Sequence, residues 1–324
     1  MVRGRWLVGM AVALIALGGA AGARPAWAQG GETAGMITEV RVGHGKVEVK
    51  TAAADWRPAA PLGTLRPGDQ VRAAGDATAV VLLVGGRGTV RVDASGSPYT
   101  VPGPQGDDGK IEKARTLLSA SMGFLSTGPK EPPKALLTTR GPRRQPPEVL
   151  TPRNGPVLPD SLVFEWLGSQ FSRYTVRLLD PSGIVLERKG VVGARFAYPA
   201  DAPPLRSGVR YRFQVEALDQ PLTESWFEIL DPARAAAIRD DLARLEADLG
   251  PGVSPNSLAA VKGGALAAEG LYHDARLVVL AALARDPDEP SLHLLLGNLY
   301  LKTGLPQLGA ESLDEAKFLM SREK

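Results

Sequence analysis

Residues 263–287, GGALAAEGLYHDARLVVLAALARDP, and residues 297–316, GNLYLKTGLPQLGAESLDEA, decide how the C-terminal part of the chain folds. Laid over each other, Gly263 falls on Gly297, Gly270 on Gly304, Tyr272 on Pro306, Ala275 on Gly309 and Ala282 on Ala316, each pair 34 residues apart. That period is the length of one helix-turn-helix unit stacking on its neighbour. Units of this kind make binding surfaces rather than active sites. The register therefore names a class of function and leaves the ligand open.

The two stretches resemble tetratricopeptide repeats, at 256–289 and 290–323, in which small residues at the glycine and alanine positions let paired helices approach closely. Pro306 opens the second helix of its unit, and the tryptophan usual early in each unit is Ala259 and His293 here. The resemblance implies a groove lined from the first helix of each unit. Those positions are Ser257, Ala260, Gly264, Ala267 and Ala268 in one repeat, and Ser291, Leu294, Asn298, Leu301 and Lys302 in the other. The first set is small and chemically mute. In the second, Asn298 and Lys302 stand four apart and share a helix face, which makes them the candidate peptide-binding pair, for a backbone or a terminal carboxylate. The plainer reading is that both are solvated. Two units bury little apolar surface, since about three are usually needed. Completion is expected from a preceding helix at 232–250 on one side and from a partner chain or self-association on the other. That helix opens with Asp231 as N-cap and Pro232, closes at Gly250-Pro251, and carries Ile238, Leu242, Leu245 and Leu249 as its stripe.

Upstream, residues 161–231 alternate as strands: Leu162, Phe164, Trp166; Tyr174, Val176, Leu178; Tyr211, Phe213, Val215; then Trp226, Phe227 and Ile229. Turn signals at Asp180-Pro181-Ser182-Gly183 and Arg206-Ser207-Gly208 separate them. Strands so spaced make a β-sandwich. Trp166, Tyr174 on the next strand and Leu205 shortly before Tyr211 resemble the fibronectin type III and immunoglobulin-like pattern, which implies a tyrosine corner at Tyr211. Nine prolines lie between Thr127 and Asp160, beside Arg140, Arg143 and Arg144, and predict an extended linker at 141–160. Ala135 to Thr139 reads either as part of that stretch or as a last strand of the unit before it. Ile111, Ala114, Leu118, Met122 and Leu125 follow a helical period and predict a short helix covering the first sheet.

The N-terminal half of the chain has period two. Met36, Thr38, Val40 and Val42 are expected on one face, Val47 and Val49 alternate with charges, and the run Ala79 to Val84 reads as a deeply buried strand closed by a glycine turn at 85–88. Leu65, Gly68, Asp69, Val71, Val81, Leu83, Gly86, Val90 and Val92 resemble the outline of a FecR-like periplasmic domain over residues 35–140. The resemblance implies a small all-β unit of an exported protein. Its relatives regulate sigma factors from the periplasm.

Arg3 and Arg5, an apolar run from Trp6 to Ala23, and Ala26-Trp27-Ala28 are the parts of a secretory signal over residues 1–28, with cleavage expected after Ala28. An uncleaved membrane anchor is the alternative. Removing those residues takes away Arg3, Arg5 and Arg24 and no acid, leaving 35 basic against 35 acidic residues. A mature charge near zero removes the electrostatic case for nucleic acid. With no cysteine, disulfides, thiolate chemistry and cysteine metal sites are excluded.

No catalytic motif assembles. Gly43-His44-Gly45-Lys46 lacks the first glycine and the hydroxyl of a phosphate loop and reads as a hairpin turn. His44, His273 and His293 lie too far apart in sequence for a helical ligand pair and read as surface or partly packed. Asp107-Asp108 lacks the further acids of a calcium loop. No Gly-x-Ser-x-Gly elbow occurs. The fold class is therefore multidomain α+β: a FecR-like β domain, a β-sandwich and C-terminal tetratricopeptide hairpins. The expected function is that of an exported, non-catalytic envelope scaffold, periplasmic or secreted, without cofactor or metal, that binds other envelope proteins, peptides or wall polymer. The alternative is a FecR-like envelope signalling regulator, although only five residues precede the apolar run where such regulators carry a cytoplasmic segment. A wall-polymer hydrolase is a third class with no motif behind it.

Overall fold

A computed structural model describes residues 33–84, 88–103, 112–128, 146–160 and 162–321. The signal at 1–28, most of the glycine turn at 85–88, Asp107 and Asp108, the arginines Arg140, Arg143 and Arg144, and the strand suggested at 135–139 lie outside the described residues. The chain is multidomain α+β, with mainly antiparallel sheets toward the N-terminus and helices toward the C-terminus.

Alternation becomes pairing in the first β unit. Strands β1 (Gly35–Arg41), β2 (Lys46–Thr51), β3 (Ala54–Pro58), β4 (Thr64–Leu65), β5 (Gln70–Ala74), β6 (Thr78–Leu83), β7 (Thr89–Val92) and β8 (Tyr99–Thr100) form two four-stranded sheets, ordered β4-β1-β6-β7 and β3-β2-β5-β8. Val47, Val49, Val71, Val81 and Val92 meet in their core. In the turn before β5, Gly68 takes φ +85° and the Asp69 carboxylate accepts from the Arg66 amide at 2.8 Å. β1 does not keep Met36, Thr38, Val40 and Val42 on one face. Its register against β6 shifts between Ile37 and Glu39, so Thr38 is an extra residue, and such a bulge re-aims the side chains around it. Ile37, Val40 and Val42 enter the sheet core, while Met36 joins the helical core and Thr38 meets Ser257.

The second β unit comprises β9 (Glu148–Thr151), β10 (Gly155–Val157), β11 (Val163–Leu167), β12 (Arg173–Asp180), β13 (Gly183–Val192), β14 (Arg195–Ala197), β15 (Arg210–Ala217) and β16 (Thr223–Ile229). Its sheets run β14-β11-β9 and β10-β16-β15-β12-β13. The core between them is aromatic: Phe164 stacks on Phe213 at 4.2 Å and Trp166 meets Tyr174 edge-on at 5.2 Å. The Tyr211 hydroxyl accepts from the Arg206 amide at 2.8 Å, tying the chain before β15 to the strand itself. The stretch 141–160 is not linker throughout, because from Glu148 onward it supplies β9 and β10. Pro147 and Pro152 flank β9, and Pro156 sits in β10 at a sheet edge, where a missing N–H is tolerated.

The helices are α1 (Glu112–Thr127), α2 (Pro232–Leu249), α3 (Pro255–Ala268), α4 (Tyr272–Leu283), α5 (Pro290–Lys302) and α6 (Pro306–Met320). The 34-residue register falls on the pairs α3–α4 and α5–α6. Gly270 and Gly304, one period apart, follow α3 and α5 with φ of +78° and +81°. Gly297 and Gly309 allow α5 and α6 to touch: a Cβ on Gly297 would lie 2.9 Å from Leu313 and 3.0 Å from the Gly309 carbonyl. Asp231 caps α2, accepting from the amides of Ala233 and Arg234. α1 does not cover the first sheet. It packs on α3 and α2 through Leu118, Met122 and Leu125, because β1 of that sheet is already met by α3 and α5. Met36, Leu62 and Leu82 of the first β unit share the helical core, and Leu150 and Leu158 of the second pack against it. Among the described residues no helix is long and apolar enough to cross a membrane.

Gly297→Val should therefore destabilise the chain by about 1–3 kcal/mol through overpacking, read by urea denaturation. Gly252→Ala, at an exposed position with no atom within 4 Å of a new Cβ, serves as the near-neutral control.

Candidate functional site

Most of the positions expected to line a groove on α3 and α5 are covered by the chain itself, and Ala268 and Lys302 are exposed. On α3, Ser257 is fully buried, its hydroxyl 2.8 Å from that of Thr38 and donating to Glu39 Oε1 at 2.6 Å. Ala260 and Ala267 are buried and Ala268 is exposed. Gly264 faces α1: a Cβ there would collide with Ser121 Oγ and approach Leu125 to 3.0 Å. The same Ser121 hydroxyl donates to the Val261 carbonyl at 2.9 Å.

On α5, Ser291, Leu294 and Asn298 are buried, Leu301 is half-buried and Lys302 is exposed. Asn298 and Lys302, four apart on one helix, thus occupy opposite environments. Asn298 is 2% exposed, and neither its amide oxygen nor its nitrogen has a hydrogen-bond partner; the Ser291 hydroxyl has none either. Gly128, one residue past α1, lies against the Asn298 amide so closely that a Cβ would collide with it.

A polar seam joins β1 to the repeats at the other end of this face. Glu39 accepts from the Ser254 and Ser257 hydroxyls and the Ser257 amide. Arg41 pairs with Asp286 and stands 3.5 Å from Glu289, and Asn256 donates to Asp286 at 2.6 Å. Glu289 caps α5 through the Ser291 amide, while its second oxygen is buried without a hydrogen bond. Burial above all, then the neighbouring Glu39 charge, pushes its carboxyl up to about 8, against the pull of the Ser291 N–H and Arg41. In the sequence Glu289 stands between Asp288 and Pro290, where no spacing marks it as buried. An unfolded glutamate ionises near 4.5, whereas folded Glu289 keeps its proton to about 8. Between those values the folded state holds one proton more, so stability falls as pH rises, by up to about 1.4 kcal/mol per unit. Glu289→Gln retains the capping oxygen and should flatten that slope, read as unfolding midpoint between pH 5 and 8.

The second β unit meets the helices through another seam. Thr151 Oγ1 lies 2.5 Å from His273 Nδ1, the Leu158 amide donates to Asp274, and Arg153 and Asn154 donate to the Thr303 carbonyl. The Arg276 guanidinium, nearly buried, pairs with Glu165 at 2.7 Å and faces the Tyr300 ring. The cavity among these groups is about 10 Å³, space for no more than one water. Glu165→Ala strands the Arg276 charge and should cost about 2–4 kcal/mol. Arg195→Ala, which removes an exposed partner of Glu165, should cost under about 1 kcal/mol; chemical denaturation of both variants checks the ordering.

His273 is buried in this seam, His44 is exposed, and His293 is half-buried with Nε2 2.6 Å from the Pro287 carbonyl. Among the described residues no group of three histidines or acids is placed to hold a metal. Large apolar side chains are left in water at one end of the second β unit. Phe171 in the β11–β12 loop is 88% exposed and Leu218 in the β15–β16 loop 83%. Leu222 lies in the latter loop, and Val192 opposite Arg173 ends β13 beside them. No protein-family model matches the chain, and no curated protein matches it.

Proposed function

We propose that this chain is an exported, non-catalytic scaffold of a bacterial envelope, periplasmic or secreted, that docks other proteins. In this reading the first β unit is FecR-like, the second is a fibronectin III or immunoglobulin-like sandwich, and α3–α6 are two tetratricopeptide repeats. The observation that carries it is the exposed cluster of Phe171, Leu218, Leu222 and Val192. Large apolar side chains gathered at one end of a β unit mark an interaction surface, since water penalises leaving them exposed. The predicted signal at 1–28 and the FecR-like outline support the compartment.

Crosslinking in the native envelope, followed by purification of the tagged chain, tests this. A protein partner should be recovered, and Phe171→Ser with Leu218→Ser should reduce its yield several-fold with the fold retained. Recovery of no partner, or a yield indifferent to both substitutions, would sink the reading. Recovery of wall polymer in place of protein would transfer the scaffold role to that ligand.

A further inference from the structure

The exposed apolar side chains of the second β unit stand between two flanks of opposite charge. β13 and β14 are edge strands of its two sheets and are joined through Gly193 and Ala194, so one flank of the unit carries both. Arg173, which opens β12 opposite Val192, is exposed on that flank, as are Lys189 and Arg195. Glu165 and Glu187 on the same side are held at 2.7 Å by Arg276 and Arg177. The other flank is made by β9 and the β15–β16 loop, tied together where the Thr223 hydroxyl donates to the Pro147 carbonyl at 2.7 Å. Glu148, Asp219 and Glu224 are exposed at this end of it. The apolar tips divide in the same way. Val192 belongs to the basic flank and Leu218 and Leu222 to the acidic one, while Phe171 comes between them from the loop joining the inner strands β11 and β12.

We propose that the partner at this end is a second copy of the chain, in an isologous dimer whose twofold axis passes beside Phe171. An interface of that symmetry requires a surface that complements itself. Half a turn about Phe171 brings the basic flank of each copy onto the acidic flank of the other and sets Val192 against the leucines of the facing loop. A patch of one sign would select a partner of the opposite sign. A patch divided in this way attracts its own copy in one orientation and repels it in others. Phe171, removed from water on association, supplies the apolar centre, and the charges form the rim. This rests on the docking role assigned above to the same cluster and names its partner. Because the patch is small, the dimer belongs to the weak class that forms and parts with concentration.

Analytical ultracentrifugation of the purified full chain from about 1 to 200 μM reads the association. The unaltered chain should pass from monomer to dimer within that range, and Phe171→Ser with Leu218→Ser should raise the dissociation constant about tenfold or more. A chain that stays monomeric throughout, or a dimer indifferent to both substitutions, overturns the proposal. Charge reversal tests the orientation. Arg173→Glu with Lys189→Glu reverses the basic flank, and Glu148→Lys with Glu224→Lys reverses the acidic one. Each variant alone should dimerise more weakly than the unaltered chain, and an equimolar mixture should associate about fivefold or more tightly than either alone. A mixture no tighter than its components overturns the proposal. All four positions are exposed, so these variants keep the fold, checked by their unfolding midpoints; if the serine variant does not fold, the mixture decides. Vesicles of phosphatidylethanolamine and phosphatidylglycerol are the control for a lipid surface, and capture of the chain by them through Phe171, in place of dimerisation, also overturns it. A different protein crosslinked through Phe171 in the envelope, while the purified chain stays monomeric, leaves the scaffold role standing and removes the dimer alone. A dimer that captures no other protein removes the scaffold role and keeps the dimer.

Discussion

α3 is buried on nearly every face, and the rest of the structure follows from the need to surround it. Nine of its residues, from Ser257 to Ala267, are out of water, and most are alanine or glycine. A helix apolar all round is stable only inside a core. With so little side-chain length of its own, α3 requires neighbours that come close. α4 and α5 supply one half of that shell through the repeat, and α1, α2 and β1 supply the other. The first β unit is therefore not a separate bead. Met36, Leu62 and Leu82 belong to the same apolar cluster as the repeats.

Apolar burial gives the energy of these junctions, whereas their polar groups set the fit. Around α3, Glu39 holds Ser254 and Ser257, and the buried pair of Thr38 and Ser257 fixes how β1 lies across the helix start. At the second β unit, Thr151 with His273 and Glu165 with Arg276 do the same for α4. Buried polar contacts of this kind add modestly to stability but penalise any misfit heavily. Glu289 and Asn298 stand apart from that pattern, each buried with an oxygen that accepts no hydrogen bond, although the Arg41 guanidinium stands 3.5 Å from that of Glu289. Glu289 is the N-cap of α5 and Asn298 lies in its second half.

Much of the fold was legible in the chain because the signals were local. Gly183 and Gly208 read as turns and take positive φ; Asp231-Pro232 reads as a helix start and caps α2; Val47 and Val49 alternate and point inward. The misreadings have physical causes. Period-two logic fails in β1 because one extra residue at Thr38 divides the strand between two cores. The prolines at 146–160 suggested a linker, although Pro147 and Pro152 flank a strand and Pro156 sits on an edge. The stripe on α1 was visible, but periodicity says that a helix has an apolar face and not which surface receives it. Asn298 was singled out by position while its loss of solvent was not, since Gly128, which lies against it, is 170 positions away in sequence.

The sequence alone determined the elements: a 34-residue helical repeat, two stretches of alternating strands, and the absence of cysteine chemistry. These are short-range properties, written by the spacing of apolar residues and by glycine, proline and aspartate at turns. Only the tertiary structure decided that α3 is enclosed by α1 and β1 as well as by α4 and α5, that Glu289 keeps its proton, and that Phe171, Leu218, Leu222 and Val192 are left in water at one end of the second β unit. Those outcomes depend on which surfaces meet across long stretches of chain, where small side chains on α3 and a bulge in β1 select the fit.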